Sequence, residues 1–185
     1  MLKMLFLGLL FTMVVLVVAA TGAIYKRKDE ISRSICGLFV VVLFAIIANS
    51  IFVMSDVQVI AEISHSLFLA CIDWILLFML RFVIRYTDYD LHYAKMIYPL
   101  FAIATVETIS MVLNPIFHHV FTLESLTHSA FGRYFSPTNY SVYFYCHLVF
   151  CYVLVVWIYV LLIHKMSKTA KVYRRKYSSI ITSVS

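Results

Sequence analysis

The chain is built from long apolar runs that are separated by short polar and basic segments. Five runs reach about the 20 apolar residues that a helix needs to cross a hydrocarbon core of roughly 30 Å. None of them alternates between apolar and polar positions with a period of two, so each predicts a helix rather than a barrel strand. The expected fold is therefore an all-α integral membrane protein, a helical bundle. Its predicted spans are residues 5–25, 35–55, 63–86, 96–114 and 140–164.

The composition supports a membrane protein. Hydrophobic residues make up 63% of the chain and charged residues 13%, whereas soluble domains average about 45–50% apolar and about 25% charged residues. The first run also has features of a cleaved signal peptide, but the apolar part of such a peptide is only about 7–15 residues long. Because this run is longer and a basic cluster follows it directly, we interpret it as an uncleaved first span.

The positions of Lys and Arg predict the orientation of the chain. All of the 15 basic residues except Lys3 and Arg133 lie in or beside alternate connections: after span one, between spans three and four, and after span five. Connections on the cytoplasmic side carry the excess of Lys and Arg in membrane proteins. We therefore expect the N-terminus to face outward and the C-terminal end to face the cytoplasm.

The longest loop, residues 115–139, lies on the predicted external side. We expect span four to end at Asn114, because Pro115 disfavours helical geometry in the residue before it. A group of apolar side chains predicts that the loop lies on the membrane or caps the bundle: Phe117, Val120, Phe121 and Leu123. The loop also carries groups that can bind zinc: His118, His119, Glu124 and His128. Their spacing matches no standard zinc motif, so we interpret them as polar loop residues and predict no metal site.

Four polar side chains within the spans are the candidate site residues: Asn49, Asp73, Glu107 and His147. A charged group at the bilayer centre costs about 2.5–3.5 kcal/mol on insertion scales, and such groups usually face the bundle interior. The predicted orientation places Asp73 near mid-membrane and the other three in the outer half, where they are expected to form a polar layer. Two interpretations stay open. The layer is a ligand pocket or ion-pair latch used in sensing, or its hydrogen bonds only hold the helices together.

No catalytic or cofactor signature is evident in the sequence. It contains no GxGxxG, P-loop, GxSxG or HExxH motif, so we predict neither an enzyme nor a cofactor. The four cysteines lie in apolar runs without CxxC spacing, and we interpret them as packing residues: Cys36, Cys71, Cys146 and Cys151. The basic cluster 165–176 directly follows a span and is expected to contact anionic lipid, so no nucleic-acid partner is predicted.

The stretches from span three onward are similar to those of a known membrane family. They read SHSLFLACIDWILLFMLRFVIRYTDYD, MIYPLFAIATVETISMVLNPIFHHVF and YFSPTNYSVYFYCHLVFCYVLVVWIYVLLIHKMSKTAKVYRRKYSSI. The basic end of span three, the Asn114-Pro115 exit with His118-His119, the Tyr-rich entry to span five and Arg174-Arg175 carry the similarity. The chain resembles the N-terminal seven-transmembrane region of histidine kinases. This resemblance implies a sensory module of bacterial histidine kinases or diguanylate cyclases, with five of the family's seven spans within this chain.

The resemblance implies that residues 1–177 are the sensory input region of a bacterial signal-transduction protein in the cytoplasmic membrane, with its output domain outside this chain. Residues 178–185 are expected to begin a sixth span, and a frayed tail is the alternative. The expected partners are the lipid bilayer, an unknown small-molecule or membrane signal and, by analogy, a second copy in a homodimer. The alternative function is a stand-alone binding or assembly subunit. A transporter is less favoured, because neither a repeat nor a mid-membrane helix break is evident.

Overall fold

The computed structural model describes residues 2–27, 29–87, 91–124, 127–129 and 132–168. Five of its helices are long and apolar enough to cross a membrane, which confirms the predicted helical membrane fold. The helices are α1 Leu2–Tyr25, α2 Glu30–Met54, α3 Gln58–Tyr86, α4 Leu91–Val112, the single-turn α5 Asn114–Phe117 and α6 Val142–Lys168. The tail 178–185 and the basic residues 169–176 lie outside the described residues, and the orientation in the membrane stays a prediction.

Two helices begin about one turn before the apolar runs that predicted them. Helix α2 starts at Glu30, and Asp29 caps it by accepting a hydrogen bond of 3.2 Å from the backbone N–H of Ser32. Helix α3 starts at Gln58, whose side-chain amide donates to Glu62 Oε1 at 3.2 Å. Hydropathy reports only the lipid-facing length of a helix, whereas caps and polar side-chain pairs extend it beyond that length.

Helix α3 is the centre of the bundle. It packs against α2, α4 and α6, while α1 packs against α2. The outward faces carry exposed large apolar side chains, such as Phe11 on α1, Phe44 on α2 and Val106 on α4. Lipid is as apolar as these faces, so close packing and hydrogen bonds between the helices hold the bundle together rather than a drive to leave water.

Two groups of buried apolar side chains fill the space between the helices. We call the first group the core cluster, and it consists of Leu77, Leu80, Val83, Ile84, Ile97, Ala104, Leu154, Ile158, Leu161 and Leu162. We call the second group the cap cluster, and it consists of Ala61, Leu69, Ala70, Met111, Val120, Phe121, Leu123 and Phe135. The cap cluster joins the loop between α4 and α6 to the N-terminal half of α3, so this loop, residues 113–141, caps one end of the bundle, and we call it the cap loop.

The cap loop contains short elements that the sequence did not predict. Strand β1 (Thr122–Leu123) pairs with β4 (Pro137–Thr138), and β2 (Thr127–Ser129) pairs with β3 (Gly132–Tyr134), both antiparallel. Span four was predicted to end at Asn114; helix α4 ends at Val112, and Asn114 begins α5. Pro115 falls in the first turn of α5, where its missing N–H breaks no intrahelical bond.

Candidate functional site

Three of the four predicted site residues meet at the junction of α3, α4 and α6. His147 Nδ1 lies 3.4 Å from Asp73 Oδ2 and 3.6 Å from Glu107 Oε2. The side chains of Asp73 and His147 are 0% and 1% exposed, and that of Glu107 is 13% exposed. All three side chains therefore lie inside the helix bundle rather than on its outer surface.

A cysteine completes this group. The thiol of Cys151 donates a hydrogen bond of 3.2 Å to Asp73 Oδ1, and its Sγ lies 3.7 Å from His147 Nε2. Cys151 follows His147 by four residues on α6, so both side chains point to the same face of the helix. The interpretation of Cys151 as a packing residue was incomplete, and the spacing of four was the signal that pointed to its role. We call Asp73, Glu107, His147 and Cys151 the polar cluster.

The fourth predicted residue, Asn49, stands apart from these contacts. It lies on α2 and is half-buried. Within the part of the chain that the structure describes, Asn49 forms no hydrogen bond or ion pair with Asp73, Glu107 or His147. Its membership of the site stays a prediction.

The polar cluster forms a layer between the two apolar clusters. On α3, Asp73 lies between Ala70 of the cap cluster and Leu77 of the core cluster. On α4, Glu107 lies in the same way between Met111 and Ala104. Because apolar side chains cover the layer on both sides, water contributes little screening, and interactions among its charged groups are stronger than at a protein surface.

Three atoms of the polar cluster are buried without a hydrogen-bond partner: Asp73 Oδ2, Glu107 Oε2 and His147 Nδ1. The distances between them exceed the 2.7–3.2 Å or so that is usual for N–H···O hydrogen bonds. Removing one partner of a buried ion pair leaves an uncompensated charge. Each charged group of the cluster is therefore compensated by its neighbours. A small displacement of α3, α4 or α6 would change the distances from His147 to both carboxylates.

A neighbouring hydrogen bond sets the register of α3 against α4. Trp74 Nε1 donates to Thr108 Oγ1 at 2.8 Å. These two residues follow Asp73 and Glu107 directly in the sequence, so their bond fixes the relative height of the two carboxylates. Thr108 in turn donates to the carbonyl of Ala104 at 2.7 Å, which orients the hydroxyl as an acceptor for the indole.

The cap loop is attached to the helices just beside the polar cluster. Asn114 is fully buried and accepts a hydrogen bond of 2.8 Å from the backbone N–H of Val120. His119 Nε2 shares a hydrogen bond of 2.7 Å with the hydroxyl of Ser110, which lies one turn from Glu107 on α4. The hydroxyl of Ser141, next to the start of α6, donates to the carbonyl of His119. A displacement of the cap loop therefore acts on both α4 and α6.

The loop groups that were considered for zinc do not face a common point. His118 lies 3.9 Å from the buried Glu62, whereas His119 contacts Ser110 and the ring of Tyr143. The side chain of His128 lies outside the described residues. Among the residues that are described, ligand atoms from Asp73, His147 and Cys151 do lie within 4.8 Å of one another. Each of these three residues offers a ligand atom of a kind that binds zinc.

Comparison with known proteins identifies the family. The family model for the N-terminal 7TM region of histidine kinase matches residues 6–185, which include all three helices of the polar cluster. The chain belongs to this family. The match confirms the resemblance seen in the sequence, and it identifies a membrane sensory region rather than a catalytic domain. Searches of curated proteins and of solved structures return no match.

As a member of the histidine-kinase 7TM family, the chain is a multi-pass membrane protein. The family gives the role of the region as a whole and assigns no residue to it. The polar cluster is therefore a candidate on its geometry alone: it is buried, it is shared by three helices, and only the cap cluster separates it from the cap loop.

Proposed function

We propose that this chain is the sensory input region of a bacterial histidine kinase in the cytoplasmic membrane, with its N-terminus outside. The observation that carries the proposal is the polar cluster beneath the cap loop in a chain of this family. The family description names histidine kinases, which favours a kinase output. A diguanylate cyclase output, which the sequence resemblance also implied, would be recognised by the coding sequence that follows Ser185.

In this proposal the bundle has two packings. In one packing, His147 lies between Asp73 and Glu107, and the thiol of Cys151 donates a hydrogen bond to Asp73. In the other packing, a signal at the cap loop has displaced α4 or α6 and separated these groups. Packed helices favour such discrete arrangements over continuous deformation. A signal shifts the balance only by its differential affinity for the two packings. A tenfold change in their population ratio requires a difference of about 1.4 kcal/mol in binding free energy.

The displacement would reach the output through α6. This helix extends from the cap loop to Lys168 and carries both His147 and Cys151. Its far half packs in the core cluster through Leu154 and Ile158, so a shift at one end is transmitted to the other. A homodimer, expected for signalling receptors of this kind, stays a prediction.

The first experiment uses the complete native protein in membrane vesicles and measures kinase autophosphorylation. Glu107→Gln keeps the size of the side chain and removes its charge, and we expect it to change the autophosphorylation level at least threefold. Asp56→Asn is the control, because Asp56 is an exposed carboxylate outside both the polar cluster and the cap loop, and it should leave autophosphorylation unchanged. Normal assembly with unchanged signalling by the Glu107 variant would contradict the sensing role. A loss of assembly alone would show that the polar cluster only holds the helices together.

A second experiment tests the orientation. Single cysteines at Lys28 and at Lys171, in a chain without its native cysteines, should react with a membrane-impermeant thiol reagent only after the cells are opened. A cysteine at Glu124 should react in intact cells. Labelling of positions 28 and 171 from opposite faces would refute the proposed topology.

A further inference from the structure

We infer that the polar cluster is a binding site for one divalent transition-metal ion of the zinc class. Its ligands would be a carboxylate from α3, a carboxylate from α4, and an imidazole and a thiolate from α6. The inference reaches beyond the proposed sensing function, because metal binding can be measured without any signalling output.

The donor set matches the chemistry of zinc. Zinc binds Cys sulfur, His nitrogen and carboxylate oxygen, usually in tetrahedral geometry. A thiolate disfavours the hard cations Mg²⁺ and Ca²⁺, which take oxygen ligands. Cys151 is the residue that makes this distinction, and it would release its proton on binding.

The spacing of the donor atoms also fits. Zinc lies about 2.0–2.3 Å from its ligands, so two ligands of a tetrahedral site are roughly 3.3–3.7 Å apart. His147 Nδ1 lies 3.4 Å from Asp73 Oδ2 and 3.6 Å from Glu107 Oε2. Cys151 Sγ lies 3.2 Å from Asp73 Oδ1. One ligand atom from each of Asp73, His147 and Cys151 lies within 4.8 Å of the others. Because Cys151 Sγ lies near Nε2 of His147 and the two carboxylates lie near Nδ1, the imidazole would have to turn for one nitrogen to share an ion with all three.

The unpartnered atoms are an independent indication of a ligand. Asp73 Oδ2, Glu107 Oε2 and His147 Nδ1 are all buried and form no hydrogen bond. Buried polar atoms without partners are rare and call for a ligand, an ion or a strained state. Asp73 Oδ2 and Glu107 Oε2 each lie near His147 Nδ1, at 3.4 Å and 3.6 Å, and a single cation among them would contact all three atoms.

The side of the cluster nearest the cap loop offers a route for the ion. Glu107 is the most exposed member of the cluster, and Ser110 lies one turn from it towards the cap loop. His119 bonds to Ser110 through Nε2, while its Nδ1 is buried without a hydrogen-bond partner. His119 and Glu107 therefore mark the side from which an ion would reach the cluster. A bound ion would join α3, α4 and α6.

The test is metal binding by the full chain in detergent micelles. Equilibrium dialysis against Zn²⁺ should give one ion per chain, and Co²⁺ should give the thiolate-to-metal absorption band that reports sulfur ligation. Cys151→Ser should remove this band and weaken Zn²⁺ binding at least tenfold. Cys146→Ser is the matched control, because Cys146 lies on the same helix but is exposed, and it should change neither readout.

A second measurement covers the case in which the Cys151 variant does not fold. In a chain that keeps Cys151 as its single cysteine, Zn²⁺ should slow alkylation of the thiol at least tenfold. Adding His147→Gln to this chain should abolish the protection. The inference is wrong if the native chain binds no ion at micromolar Zn²⁺, or if Cys151 stays equally reactive with and without Zn²⁺. It is also wrong if replacing His118 and His119 removes binding while the cluster variants retain it.

Discussion

Within the polar cluster, Asp73 is the side chain whose loss should destabilise the bundle most. Asp73→Asn keeps the shape and removes the charge from a residue that contacts both His147 and Cys151 and is fully buried. Breaking a buried ion pair by removing one partner costs about 3–5 kcal/mol. We expect about 3 kcal/mol, the lower end, because the distance of 3.4 Å to His147 is longer than a hydrogen bond.

Glu107→Gln should cost less. Glu107 is partly exposed, and its contact with His147 is 3.6 Å long. Side-chain interactions between membrane helices average about 0.6 kcal/mol in mutant cycles and reach about 1.7 kcal/mol, so we expect about 1 kcal/mol. The free energy of unfolding of both variants would be measured in mixed micelles, in the presence of a chelator. The test is the order of the two variants. If Glu107→Gln loses as much free energy of unfolding as Asp73→Asn, or more, the argument from burial and distance is refuted.

Three further predictions concern the cap loop, the start of α2 and the contact of α3 with α4. Asn114→Ala removes the side-chain acceptor of Val120 and should speed amide exchange at that residue at least tenfold, while α6 exchanges as before. The hydroxyl and N–H of Ser32 lower the pKa of Asp29. The amides in the first turn of α2 should therefore be most protected from hydrogen exchange above about pH 4 and should lose this protection as the pH falls through the lowered pKa. Ser32→Ala should weaken this pH dependence. Trp74→Phe removes the indole donor and should cost about 1 kcal/mol of unfolding free energy, which a chemical denaturation series would show; an unchanged midpoint would contradict it.

Most of the fold was predictable because a single physical term governs it. Apart from a closed barrel, only a helix forms all the hydrogen bonds of its backbone N–H and C=O groups within lipid. Long apolar runs were therefore sufficient to locate the five spans. The same term predicted the burial of Asp73, Glu107 and His147, since polar groups are expensive against lipid. Hydropathy contains no information about caps, however, and helices α2 and α3 therefore begin before the spans that the apolar runs predicted.

The cap loop and the full membership of the polar cluster were not predictable. The position of α5 depends on Asn114 bonding to backbone atoms several residues later, which is a contact of the folded loop rather than a local preference. The spacing of four from His147 places Cys151 on the same face of α6, but only the folded structure shows that its thiol donates to Asp73, which lies 78 residues away in sequence. Pairings between distant residues follow from helix packing, and the order of residues along one helix does not encode them.

The two hydrogen bonds of His119 differ in how they depend on the side chain at this position. Its ring is bonded to Ser110 on α4, whereas its main-chain carbonyl accepts from Ser141 beside α6. Any amino acid at position 119 retains the carbonyl, but few retain a ring nitrogen at that height. A substitution of His119 would therefore detach the cap loop from α4 and leave it attached beside α6. This single position can change how strongly the cap loop is coupled to the bundle while the rest of the loop stays the same.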